Sequence, residues 1–187
     1  MIMRLIIKKR GIMNHKLKIV FTLVLFPLSL FSKVFITPEE AIKDAFKNAT
    51  IEKKRIYLTD NDVKSIEQEL GFKIKHQFYS FYVAKENNKT LGYAILHTDV
   101  VRTREMSVMI VLDPEIKIKN LYLISFYEPL EYKPSERWLS LFINKSKEDA
   151  LTPGIDIPIV SGATLTSRTV SEMVRLTLKL SKFLDVK

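Results

Sequence analysis

The sequence predicts an α+β domain in which helices flank an antiparallel sheet and a further helix closes the chain. Three observations support this class. Two capped helix starts precede a region whose apolar residues recur at a period of two, and an amphipathic stretch of helical period follows it. Strands and helices do not alternate as in βαβ units, so no parallel sheet is expected. With 187 residues, 47% of them apolar, the chain can bury one substantial core.

Two helix starts precede the predicted sheet. Thr37-Pro38-Glu39-Glu40 places a hydroxyl before a proline and a glutamate three residues further on, which predicts a helix over 38–48. A second hydroxyl, Thr59, stands before Asp-Asn-Asp and starts a helix that Gly71 ends. Both signals concern structure and carry no information on function.

The middle of the chain predicts four strands. HQFYSFYVAKEN and LGYAILH alternate apolar and polar residues around Asn87-Asn88, a typical hairpin turn. Two further strands are expected over 106–113 and 116–129, each ending at a proline. Such alternation suits an antiparallel sheet with one covered face.

The C-terminal part predicts a short helix from Ser135, a proline-containing loop from Thr152, and a long helix over about 165–184. The apolar face of the long helix recurs at steps of three and four residues. Its members are Val170, Met173, Val174, Thr177, Leu180 and Leu184.

Residues 1–32 have the pattern of a signal peptide or an N-terminal membrane anchor. Six basic residues and no acidic ones precede the apolar run Ile19–Phe31. Thirteen helical residues rise about 20 Å, less than the roughly 30 Å of a bilayer core, and Pro27 interrupts them, so a signal peptide is favoured. Leu30 and Ser32 form a poor signal-peptide cleavage site, so an uncleaved membrane anchor is the alternative interpretation. The remainder, 33–187, is expected to be one exported domain.

Charge and composition exclude several functions. The formal charge is +9, but residues 33–187 contain 24 basic and 21 acidic side chains, a net charge of only +3. Most of the basicity belongs to the leader, so nucleic acid is not an expected partner. The chain has no cysteine and three histidines, so disulfides and thiolate metal sites are excluded, and a histidine-based metal site is not expected.

The stretch SGATLTS, Ser161 to Ser167, lies where an extended segment meets the last helix. Backbone amides at a helix start have no helical acceptor, and the helix dipole adds partial positive charge. Gly162 and Ala163 keep the backbone accessible, and the hydroxyls of Ser161, Thr164, Thr166 and Ser167 could contact phosphate oxygens or cap the helix. From the residues alone, the capping role is favoured over a phosphate site.

SGAT followed by Leu-Thr-Ser resembles the FMN-binding domain of the Rnf-complex G subunit and of the C subunit of sodium-translocating NADH:quinone oxidoreductase. The resemblance implies FMN joined through its phosphate to a threonine hydroxyl, installed after export by an FMN transferase that uses FAD. It places the attachment on Thr164, with Ser161, Gly162 and Ala163 as the recognition turn. Thr166 would support the attachment site, and it is the alternative attachment residue.

One position departs from the family pattern. An aspartate often stands three residues before the first Ser or Thr of the motif, where this chain has Pro158, with Asp156 two residues earlier. The strand that ends in Glu128-Pro129 also resembles the family strand that leads into a Glu-containing turn.

The resemblance implies an exported flavoprotein, periplasmic or attached to the outer face of the cytoplasmic membrane. It would transfer electrons between membrane or extracytoplasmic partners and would not be a stand-alone enzyme. Two alternatives are a non-flavin exported interaction module, in which SGATLTS only caps a helix, and a small flavin reductase.

The sequence leaves undecided whether four other features have structural or functional roles. Asp99 to Glu105 is either a charged solvent turn, which is favoured, or a flavin contact. Trp138 is either core, which is favoured, or a stacking partner for the flavin ring. Arg168 is either solvated or paired with the phosphate. His97 is expected to be structural.

Overall fold

A computed structural model describes residues 33–184. Six strands form one sheet, and every neighbouring pair is antiparallel. The strands are β1 (Lys33–Val34), β2 (Thr50–Tyr57), β3 (Phe78–Glu86), β4 (Lys89–Val100), β5 (Glu105–Leu112) and β6 (Ile118–Phe126). Their order across the sheet is β1-β6-β5-β4-β3-β2. The predicted α+β class is therefore confirmed.

Four α-helices accompany the sheet in this part of the chain. They are α1 (Pro38–Ala45), α2 (Asp60–Leu70), α3 (Glu136–Leu139) and α4 (Thr164–Leu180). Single turns of 3-10 helix lie at Leu130–Tyr132 and follow α3 and α4 directly. None of the helices in residues 33–184 is long and apolar enough to cross a membrane. The predicted leader, 1–32, lies outside the described residues.

The predicted helix starts are confirmed. Thr37 and Thr59 form capping boxes with Glu40 and Asp62: each hydroxyl accepts from the backbone amide three residues on, and each carboxylate accepts from the cap's own amide. Gly71 ends α2 in the left-handed conformation, with φ of 76°.

The two faces of the sheet bury different helices. One face packs against α2 and α4 and forms the larger core, in which Phe81, Ile95 and Ile110 are almost fully buried. The opposite face packs against α1 through smaller side chains such as Ala84 and Ala94. The last helix therefore belongs to the main core.

The predicted order of helices followed by strands is wrong at β2, since this strand lies between α1 and α2. Its sequence, TIEKKRIY, carries charges on both faces, and only Ile56 is buried, so no alternation of apolar residues marks it. It is a strand because it pairs with β3 over its whole length, from Thr50 opposite Lys85 to Tyr57 opposite Phe78. Lysines on an edge strand also oppose pairing with other chains.

Gly92 provides a test of the packing between α1 and the sheet. Its φ is 147°, and a Cβ there would lie 2.3 Å from the Leu112 carbonyl oxygen and 2.8 Å from the Phe46 ring. We expect Gly92→Ala to lower the free energy of unfolding by about 3 kcal/mol or more, measured by urea denaturation. Gly71→Ala is the matched control, because its Cβ would meet nothing within 4 Å. Backbone strain alone should cost about 1 kcal/mol there. Equal losses in the two variants would contradict the predicted clash.

Candidate functional site

The helix α4 begins without a side-chain cap. Thr164 is its first residue, and the residue before it, Ala163, has no side chain able to cap. Each of the other three helices starts with a hydroxyl that accepts a backbone amide: Thr37, Thr59 and Ser135. The prediction that hydroxyls of SGATLTS cap the last helix is therefore wrong, even though the motif offers four of them.

The backbone amides of this helix start are also unused. The first hydrogen bond of the helix runs from the Ser167 amide to the Ala163 carbonyl, at 3.0 Å. The amides of Thr164, Leu165 and Thr166 have no acceptor among the described residues. Three free N–H groups at the positive end of a seventeen-residue helix favour an anionic ligand such as phosphate.

The turn that precedes α4 is open to solvent. Ser161 and Gly162 are exposed, and so is Thr164. Gly162 has φ of 77°, and a Cβ added to it would meet nothing within 4 Å. The motif thus combines an exposed Thr164, free amides and unobstructed space at Gly162.

The remaining predicted site residues point into the protein. Ala163 is 3% exposed, Thr166 1% and Ser167 0%. The Ser167 hydroxyl accepts from the Val160 amide at 2.9 Å and donates to the Ala163 carbonyl at 3.2 Å. The Thr166 hydroxyl has no hydrogen-bond partner among residues 33–184. The six predicted residues are therefore adjacent but divide into an exposed set and a buried set.

The loop before the motif is fixed by contacts that sequence reasoning missed. The Asp156 carboxylate accepts from the amides of Leu151 and Thr152, at 2.6 and 2.5 Å. The indole Nε1 of Trp138 donates to the Pro158 carbonyl at 2.6 Å. Trp138 is 7% exposed and lies edge-on to Phe142, so of its two predicted roles the structure favours the core role. No local sequence signal pairs Trp138 with a carbonyl twenty residues away.

The charged turn between β4 and β5 is organised around Glu128. One oxygen of this buried carboxylate accepts from the amides of Arg102, Thr103 and Arg104, at 3.0, 2.7 and 2.9 Å. Burial on its own raises the pKa of Glu128, but the three amides and the Arg102 charge outweigh it, so the pKa is lowered. The Arg102 guanidinium lies over the Tyr132 ring, 5.4 Å from its centre. The charged Glu128 carboxylate therefore fixes the backbone of this turn.

The direction of α4 relative to β4 indicates how far along the helix this turn lies. The His97 Nε2 atom of β4 is 2.8 Å from the Thr177 hydroxyl, and Asp99 shares a small cavity with Glu172, so α4 runs antiparallel to the end of β4. Four strand residues span about 13 Å, which is the rise of about nine helical residues. His97 lies beside Thr177, and the turn begins four residues after His97. About nine residues back from Thr177 along α4, the helix is in its first two turns, so the turn after β4 is level with that part of the helix.

His97 is buried in the core between β4 and α4. The Thr177 hydroxyl donates its single proton to the Met173 carbonyl at 2.9 Å, so the His97 Nε2 must carry the hydrogen that it shares with Thr177. Burial lowers the pKa of His97 to about 4, and His76 adds to this, although Asp99 opposes it. The imidazole is neutral and hydrogen-bonded, in agreement with its predicted structural role.

No metal centre accompanies the site. Among residues 33–184, no group of three or more His, Cys, Asp or Glu side chains could hold a metal ion.

The fold and the helix start define a class of protein: an α+β domain whose last helix presents an exposed hydroxyl and unbonded amides, an arrangement suited to holding a phosphate group. Residues 103–179 match the model of the FMN-binding domain family. The match runs from the turn after β4 to the penultimate residue of α4 and includes all six predicted site residues. The predicted resemblance is confirmed over this part of the chain, and the match supports a flavin-binding protein with FMN as its ligand.

The strands β1 to β4 lie outside the matched residues. No curated protein matches the chain, and no solved structure does.

The buried His97 predicts a pH-dependent stability. Its pKa is depressed in the folded state relative to about 6.5 in the unfolded chain, so its contribution is present above pH 6.5 and is lost as the pH falls towards 4. The full loss is about 3 kcal/mol. We expect His97→Gln to show a shallower fall in the free energy of unfolding between pH 7 and 5, measured by urea denaturation. The matched variant of an exposed histidine, His76→Gln, should keep the steep fall. A steep fall in both variants would contradict this assignment.

Proposed function

We propose that the chain is an exported flavoprotein that carries one FMN in a phosphodiester bond to Thr164 and passes electrons between proteins at or near the outer face of the cytoplasmic membrane. The observation that carries the proposal is the start of α4. An exposed Thr164 hydroxyl stands there beside three unbonded amides, within residues that match an FMN-binding domain.

The residues present fit the phosphate of FMN. The amides of Thr164, Leu165 and Thr166 can donate to phosphate oxygens, and the helix dipole stabilises the negative charge. Gly162 leaves the approach open, because no atom occupies the space beside its Cα. FMN, when bound, supplies one- and two-electron transfer, and the protein holds and orients it.

Exposure favours Thr164 over Thr166 as the attachment residue. Thr164 is exposed at the first position of the helix, whereas Thr166 is 1% exposed and faces the core. The bond would form when the Thr164 hydroxyl oxygen displaces AMP from FAD. One P–O bond forms, one P–O bond breaks, and the hydroxyl proton is released. A hydroxyl enclosed by core side chains could not reach the transferase that supplies FAD.

The surroundings of the turn support electron transfer to another protein. Ile155 and Ile159 precede the motif and Leu165 lies within it, and they are 83%, 43% and 40% exposed. Apolar side chains around an exposed cofactor suit a small, transient protein interface. The basic and apolar leader of 1–32 supports export and a position near the membrane. The maturation partner is then an FMN transferase outside the cytoplasm.

The attachment is tested by exporting the full chain together with an FMN transferase and measuring the intact mass. We expect an adduct of the mass of one FMN on the wild type and none on Thr164→Val. Thr169→Val is the matched control, since Thr169 lies on the same helix outside the motif, and it should carry the adduct in full.

The remaining outcomes separate the alternatives. Loss of the adduct in Thr166→Val with retention in Thr164→Val would move the bond to Thr166. An unmodified wild type beside a flavinylated control substrate would overturn the proposal. Rapid turnover of NADH with a soluble acceptor by the flavin-loaded chain would favour a flavin reductase over an electron carrier.

A further inference from the structure

The segment Pro158–Ala163, here called the presenting turn, is held from two sides. From one side, Trp138 donates its indole N–H to the Pro158 carbonyl at 2.6 Å. From the other side, the Ser167 hydroxyl accepts from the Val160 amide at 2.9 Å and donates to the Ala163 carbonyl at 3.2 Å. The three bonds bracket Ser161 and Gly162, the exposed residues of the turn.

Both holding side chains are themselves fixed. Trp138 is 7% exposed, its ring meets the buried Phe142 edge-on with centres 5.2 Å apart, and a Ser135 cap starts its helix. Ser167 is fully buried on α4. The turn between them has one backbone hydrogen bond of its own, from the Ala163 amide to the Val160 carbonyl at 2.9 Å, and a Cβ at Gly162 would meet no atom within 4 Å. Its conformation therefore depends on the contacts made by Trp138 and Ser167.

We propose that Trp138 and Ser167 are positioning residues that hold the presenting turn in the geometry in which Thr164 accepts the flavin, an inference that rests on the proposed function. Attachment needs the Thr164 oxygen at a defined place and direction relative to the phosphorus it attacks. A displacement of about 1 Å in such a reaction can lower the rate by about 100-fold. Rigid support from a second layer of side chains prevents such displacements.

This assignment gives Ser167 a role different from the predicted phosphate contact. A serine hydroxyl has one hydrogen to donate, and that of Ser167 goes to the Ala163 carbonyl. No donor remains for a phosphate oxygen. Ser167 therefore acts through the backbone of Val160 and Ala163, and Trp138 acts through the backbone of Pro158.

The test compares two serines of α4. Ser167→Ala removes a hydroxyl that has two hydrogen-bond partners. Ser171→Ala removes an equally buried hydroxyl that has no hydrogen-bond partner among residues 33–184. With full-length chains, an FMN transferase and FAD, we expect Ser167→Ala to lower the kcat of attachment about tenfold with little change in KM. Ser171→Ala should react at the wild-type rate. Attachment is followed by intact mass.

Two further variants separate positioning from general stability. Trp138→Phe keeps an aromatic ring but removes the N–H donor, so it should also lower kcat. Ile66→Val shortens a fully buried side chain of α2 and should lower the melting temperature without slowing attachment. If Ile66→Val slows attachment as much as Ser167→Ala at equal loss of melting temperature, the positioning role is overturned.

Hydrogen exchange on the unmodified chain provides a readout that needs no flavin. The amides of Val160 and Ala163 should exchange faster in Ser167→Ala than in the wild type and remain protected in Ser171→Ala. Unchanged exchange, or a wild-type rate of attachment in Ser167→Ala, would overturn the inference. An unmodified wild type with faster exchange in Ser167→Ala would overturn the proposed function and leave the holding contacts established.

Discussion

The packing of α4 against the sheet is the constraint on which the rest of the structure depends. Eleven of its seventeen residues are buried, and Val170, Val174 and Leu180 are completely inaccessible to solvent. Because a helix is rigid along its axis, this burial also fixes its first residue. Thr164 thereby emerges at the surface in one defined place.

Side chains bind backbone groups in the loop before this helix and in the turn after β4, and two of the three come from distant parts of the sequence. Asp156 accepts two amides of its own loop, Glu128 accepts three amides of the turn after β4, and Trp138 donates to the Pro158 carbonyl. At the first turn of α4, the amides of Thr164, Leu165 and Thr166 have no acceptor among the described residues. Unpaired amides at a helix start are suited to an anionic ligand.

The departure of Pro158 from the family pattern has a structural counterpart. Proline has no N–H group to donate, but its carbonyl accepts a hydrogen bond from the Trp138 indole N–H. The aspartate two residues earlier, Asp156, is occupied with the amides of Leu151 and Thr152. Its carboxylate therefore shapes the loop.

The sequence by itself determined the capped helices, the hairpin and the buried face of α4, because each depends on residues close together in the chain. It missed β2, whose strand conformation comes from pairing with β3, and it wrongly expected hydroxyl caps on α4. Only the tertiary structure decided that Thr164 is exposed while Thr166 and Ser167 are buried. Adjacent hydroxyls on a helix differ only in direction, and the packing of that helix against the sheet sets which direction faces solvent.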